Sequence, residues 1–214
     1  MIKACIFDLD GVIVDTAHYH YLAWNRLANE LGLNISEKEN EQLKGVSRMR
    51  SLDIILGLGH ITKTAAEKEV LATKKNGWFV DYINAMKPEE IFPGVRELIR
   101  ELKTRGQKIG LASSSKNAMS VIRLLKINEL FDAVVDGNMI VHSKPDPEIF
   151  LLAASKLKTP PGECLVFEDA VAGIEAAVAA GMKCIGIGSP SQLNKANRVI
   201  SRTGDFNPDD LTTL

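Results

Sequence analysis

The chain has 214 residues, 45% hydrophobic and 25% charged, with 26 basic against 27 acidic side chains and a formal net charge of −1. That length holds one sizeable core plus a smaller second unit, and the even charge balance argues against a nucleic-acid or membrane-surface partner. No apolar run approaches the roughly 20 residues of a membrane span, and the opening residues meet Asp8 and Asp10 too soon for a signal peptide.

Residues 2–7 form a short apolar run ending in Asp8-Leu9-Asp10-Gly11, which reads as a buried strand. Residues 16–87 then carry no convincing strand. Trp24, Leu27, Ala28 and Leu31 recur at helical spacing, Gly32 closes that segment, and further helical patterns cover 37–43, 50–56 and 63–85. Beyond this insert the pattern alternates. Helices are expected at 94–105, 116–126, 147–158 and 171–180, and strands at 108–112, 133–135, 163–167 and 183–187. Asp146 can cap a helix with Pro147 at its first position, and Gly181 ends the Ala-rich helix. Strand alternating with helix predicts a parallel sheet covered on both faces. The fold expected is therefore an α/β core, residues 1–15 and 88–214, with an all-helical cap domain, 16–87, inserted after its first strand. The cap has a slight excess of basic residues and the core a slight excess of acidic ones, which suits an anionic substrate held between them. Cys5, Cys164 and Cys184 stand alone in apolar stretches and read as buried free thiols of a cytoplasmic protein.

Ligands of open α/β sheets bind beyond the carboxyl ends of the strands. There the sequence places Asp8 and Asp10, then Ser113-Ser114-Ser115-Lys116-Asn117, then Lys144 by way of a loop, then Glu168-Asp169. Each piece alone has a plainer reading: a turn, a helix cap, a solvated lysine, acids at a helix start. All four in order, each just after its strand, read as one site. Asp8 and Asp10 project to the same side of an extended chain, and carboxylates so close need a cation. With Glu168 and Asp169 they make a hard-oxygen set suited to Mg²⁺. Asp8 is ionised at neutral pH and can attack phosphorus directly, while Asp10 is placed to serve the attacking or leaving oxygen as acid and base.

Phe7-Asp8-Leu9-Asp10-Gly11-Val12-Ile13, Ser113, Lys144-Pro145-Asp146-Pro147 and Glu168-Asp169-Ala170-Val171-Ala172-Gly173 resemble, in order, the four motifs of the haloacid dehalogenase superfamily. The resemblance spans the core and implies a Rossmann-like fold, one Mg²⁺ per site, an aspartyl-phosphate at Asp8 and phosphate binding by Ser113 and Lys144. Asp10 favours phosphoryl transfer, since the dehalogenases that named the superfamily lack a second aspartate there. Within the superfamily, Asp15-Thr16-Ala17-His18-Tyr19-His20 with Trp24, then Leu43-Lys44-Gly45-Val46-Ser47-Arg48, Lys74-Lys75-Asn76 and Ala112-Ser113-Ser114-Ser115-Lys116-Asn117 resemble the β-phosphoglucomutases. That implies interconversion of β-D-glucose 1-phosphate and D-glucose 6-phosphate through β-glucose 1,6-bisphosphate, by a monomer acting on a small phosphorylated sugar. Arg48 would grip the distal phosphate with Ser114, Ser115, Lys116 and Asn117, while Gly45, Val46 and Ser47 would form the sugar loop. His20 would orient Asp10 or report cap closure, and Trp24 and Lys75 would meet the sugar. Without the resemblance, Trp24 reads as packing, His20 as a bystander and Lys74-Lys75 as a solvated charge run. The chain departs from the mutase pattern at Val14, at Met49-Arg50, where Arg50 adds charge near the sugar loop, and after Gly188, where a shortened last helix clear of the site is expected. A sugar-phosphate phosphatase is the alternative.

Overall fold

The computed structural model describes residues 1–43 and 46–213. Strands β1 (Ala4–Phe7), β2 (Lys108–Ala112), β3 (Ala133–Val135), β4 (Cys164–Glu168), β5 (Lys183–Ile187) and β6 (Arg198–Ile200) form one sheet in the order β3-β2-β1-β4-β5-β6. All neighbours are parallel. Central β1 is buried throughout, and Phe7 pairs in register with Leu111 on one side and Phe167 on the other.

Both faces are apolar because both are covered, which is why the strands read as continuous hydrophobic runs. On one face Phe7, Leu111 and Phe167 pack against α5 (Val95–Thr104) and α6 (Ala118–Leu124). On the other, Ile6, Val166 and Cys184 pack against α7 (Glu148–Lys156) and α8 (Val171–Ala179). The Phe7 and Phe167 rings stack at 4.5 Å. Asp146 Oδ1 accepts from Glu148 N at 2.9 Å and so caps α7. Gly181, at φ +71°, ends α8. The chain crosses from one half of the sheet to the other between β1 and β4. A crevice opens at such a switch point, beyond the strand ends.

Between β1 and α5 the described residues form four α-helices: α1 (Ala17–Glu30), α2 (Glu37–Glu41), α3 (Arg48–Leu58) and α4 (Ala65–Ile83). Ser36 and Thr64 start α2 and α4 through reciprocal bonds with Glu39 and Glu67. Trp24, Leu27, Leu52, Ile55, Leu56 and Ala72 give these helices their own hydrophobic centre. The outgoing and returning connections run side by side: Val14 bridges Ile91, and Phe92 N donates to Ile13 O at 2.9 Å.

Helix α3 starts two residues before the expected 50, because Ser47 Oγ accepts from Arg50 N at 3.3 Å and caps it. Strand β6 was not expected, and among the described residues no α-helix follows it. Instead the tail packs across the two cap connections. Thr203 Oγ1 donates to Val12 O at 2.7 Å, a Cβ on Gly204 would fall 2.2 Å from Pro93 O, and Phe206 sets its edge on Phe167. The three cysteines are buried and unpaired. No described helix is long and apolar enough to cross a membrane.

Candidate active site

Asp8 leaves the end of β1 with its amide bonded to Phe167 O at 3.0 Å, so the sheet itself fixes its backbone. Lys144, on the loop after β3, is 1% exposed. Its Nζ donates to Asp8 Oδ1 at 2.5 Å, to Glu168 Oε2 at 2.8 Å and to Ala112 O at 3.3 Å, tying β1, β2 and β4 together. Two carboxylates hold its ammonium charged despite burial. Glu168 is fully buried, and its Oε1 accepts from Asp169 N and Ala170 N at the start of α8. The plain helix-start role thus belongs to Glu168 as well. A Cβ on Gly173 would fall 2.1 Å from Glu168 Oε2, so the fifth residue after this glutamate must lack a side chain. Gly11 does the same for Asp169. It sits at φ +76°, and a Cβ there would lie 2.0 Å from Asp169 Oδ2.

Asp8, Glu168 and Asp169 each offer a carboxylate oxygen within 4.8 Å of the others. Asp10 is not in that cluster. Its Oδ2 lies 3.5 Å from Ser113 Oγ, the atom that also accepts from Ser115 N at 3.2 Å. Burial pushes Asp8 up to about 8, with Glu168 and Asp10 adding to the rise and Lys144 opposing it. Burial also pushes Asp10 up to about 6, against the pull of Lys144 and Lys75. Four carboxylates around one lysine are short of positive charge, and a hard divalent cation fits that deficit.

The cap supplies the roof of a chamber whose empty space, counted together with the solvent at its open mouth, is about 770 Å³. Asp8, Asp10 and Asp169 of the core line it together with Arg48 of the cap, Lys116 and Asn117, and with His20, Trp24, Val46, Lys75, Ser114 and Ser115. Lys74 and Lys75 part company. Lys74 pairs with Glu30 on the surface, whereas Lys75 is 1% exposed, its Nζ 4.5 Å from the Trp24 ring centre and 2.7 Å from His20 Nδ1. Burial, then repulsion from Arg48, holds the Lys75 amine well below the usual lysine range; burial and Lys75 likewise depress His20. His20 therefore meets Lys75, not Asp10, and stacks on Phe79 at 3.9 Å. Trp24 both packs in the cap and lines the chamber. Ser47 spends its hydroxyl on capping α3, and Arg50 is exposed and does not line the chamber. Gly45 lies outside the described residues. Sequence reasoning overlooked Asn76 as a contact. Its Oδ1 accepts from Arg48 Nη2 and from Asn117 Nδ2, both at 2.8 Å, so the cap rests on the core.

The model of the haloacid dehalogenase-like hydrolases matches residues 2–181. The chain belongs to this family. A β-phosphoglucomutase of Bacillus subtilis is 45% identical over 206 residues, 95% of this chain and 91% of that protein. A phosphorylated carbohydrates phosphatase of Thermotoga maritima is 32% identical, covering 86% of this chain and 83% of its own length. The crystal structure of a β-phosphoglucomutase from Clostridium difficile superposes with a TM-score of 0.96 at 43% identity, over 100% of this chain and 96% of that one. Membership of the haloacid dehalogenase-like family implies Mg²⁺, which the carboxylate cluster suits.

The raised Asp8 and Asp10 values set the direction of metal linkage. In the metal-free chain each is stabilising while protonated, and that contribution is lost as pH rises through about 8 and about 6 respectively. A cation must displace those protons, so its affinity rises with pH across the same window. Mg²⁺ should therefore raise the melting temperature by several degrees at pH 8, about 3 kcal/mol at a hundredfold excess over Kd, and far less at pH 5. Equal shifts at both pH values would contradict this site.

Proposed function

We propose that the chain acts as a β-phosphoglucomutase, interconverting β-D-glucose 1-phosphate and D-glucose 6-phosphate. The observation that carries this reading is a single chamber with two anion-binding places: Asp8, with its cation site, on the core, and Arg48, on the cap, with Lys116 and Asn117. A substrate that carries phosphate at both ends at mid-cycle needs both.

Asp8 carries the phosphoryl group. The sugar hydroxyl attacks that phosphorus, Asp10 takes the hydroxyl proton, and β-glucose 1,6-bisphosphate forms. After the bisphosphate turns round, Asp8 attacks the other phosphate and Asp10 returns the proton to the departing sugar oxygen. Asp8, Glu168 and Asp169 would hold Mg²⁺, which when bound would neutralise charge on the phosphoryl group. Ser113 and Lys144 hold the transferring phosphate. Arg48, Ser114, Ser115, Lys116 and Asn117 hold the distal one, with the guanidinium fork suited to two phosphate oxygens. Lys75, kept weakly basic by burial and oriented by His20, serves sugar hydroxyls, with Trp24 and Val46 as walls. The closed cap keeps water from the phospho-aspartate, so that it meets sugar. The buried free thiols suit a reducing cytoplasm.

The decisive assay gives the protein β-glucose 1-phosphate, Mg²⁺ and a trace of the bisphosphate. Glucose 6-phosphate should appear as the main product. Inorganic phosphate released without it would make the chain a phosphatase.

A further inference from the structure

The turn that follows β3 has no role in the chemistry above, yet it presses against the loop that would hold the distal phosphate. Gly137 N donates to Ser115 O at 3.2 Å, and Asn138 Nδ2 donates to Lys116 O at 3.0 Å. Asp136 is nearly buried, and its Oδ1 accepts from Asn138 N at 2.9 Å, so the turn is held in shape by its own first residue. The packing is tighter than the bonds alone require. A Cβ on Gly137 would lie 2.3 Å from Ser114 O and 3.2 Å from Lys116 N, both backbone atoms. Backbone cannot yield to such a contact by turning a side chain, so one loop would have to move. The sheet fixes the start of the loop, where Ser113 N donates to Val135 O at 3.1 Å. Inside it, Ser115 Oγ accepts from Asn117 N at 3.2 Å.

We infer that residues 136–138 are a mould for the distal-phosphate loop 114–117, with Gly137 and Asn138 as positioning residues that select substrates bearing a second phosphate. The inference rests on the mutase reading of that loop. Two carbonyls of the loop, those of Ser115 and Lys116, are held by the mould. Their neighbouring amides and side chains are thereby presented to the chamber without a cost paid at binding.

The test compares two phosphoryl donors. β-Glucose 1-phosphate, with trace bisphosphate, engages both ends of the chamber; acetyl phosphate has one phosphate and engages only the Asp8 end. Gly137→Ala should lower kcat/KM for the sugar phosphate by roughly tenfold or more, mainly through KM. Acetyl phosphate hydrolysis should stay within about twofold of the unaltered protein. Asn138→Ala should act in the same direction by roughly fivefold, the worth of one hydrogen bond, and it carries the test if Gly137→Ala does not fold. Equal losses with both donors would overturn the inference, since a general weakening of the fold acts on both. So would no loss in either variant while Arg48→Ala raises the KM for the sugar phosphate. If Arg48→Ala also leaves that KM unmoved, the distal pocket itself has been misread and the mould falls with it.

Discussion

Asp8→Asn should lower mutase turnover by at least roughly 10⁴-fold, as expected when a covalent nucleophile is removed from an intact site. The amide matches the carboxylate in size, so the backbone bond to Phe167 and the Lys144–Glu168 pair survive. The amide nitrogen and oxygen cannot form the phosphoryl ester, and no other carboxylate takes the place of Asp8 at the end of β1. Two measurements check this: the steady-state rate with β-glucose 1-phosphate, and radiolabel retained on the protein after exposure to labelled bisphosphate. Turnover within tenfold of the unaltered protein would refute the role of Asp8.

Lys144→Met should have the largest effect on stability. Lys144 is the one cation in contact with Asp8 and Glu168 among the described residues, and neither carboxylate can reach bulk water readily. Removing one partner of a buried ionic group leaves uncompensated charge, at about 3–5 kcal/mol. Methionine keeps the apolar stem in place over Phe150, near which the ammonium sits at 4.9 Å. Denaturant unfolding at pH 9 without metal, where Asp8 is ionised, measures the loss, and a change under about 1 kcal/mol would contradict the assignment. Lys74→Met is the natural control. Its partner Glu30 is on the surface, where such pairs are worth about 1 kcal/mol or less.

The contrast between those two neighbours of α4, Lys74 and Lys75, shows what the sequence did and did not reveal. One step along a helix turns the side chain by about 100°, so adjacent lysines can face bulk solvent and a buried chamber. Nothing in the pair itself says which is which; only the position of the apolar stripe around them does, and Trp78 and Phe79 blur it. Core strands were legible because both sheet faces are covered and the runs are unbroken. β6 escaped because it is an exposed edge of three residues, Arg198 to Ile200, lacking that signature. The strand-end carboxylates, Lys144 and Ser113 were legible because parallel topology sends every strand end to one side. Asn76 was not, since its role depends on Arg48 and Asn117, one from another cap helix and one from the core. Nor does the sequence pattern announce that Thr203 reaches the turn that follows Asp10, a contact 191 residues apart in sequence.

That long reach has a consequence for how the molecule is made. β1 is made before every other strand of the sheet, and both its sheet partners and the hydroxyl that fastens its turn are encoded far downstream. Local helices of the cap can form while synthesis continues, whereas the pairings around β1 must await distant segments. The nucleophile is therefore synthesised well before the strands and the tail that secure it, and until they arrive its apolar strand stands without its sheet partners.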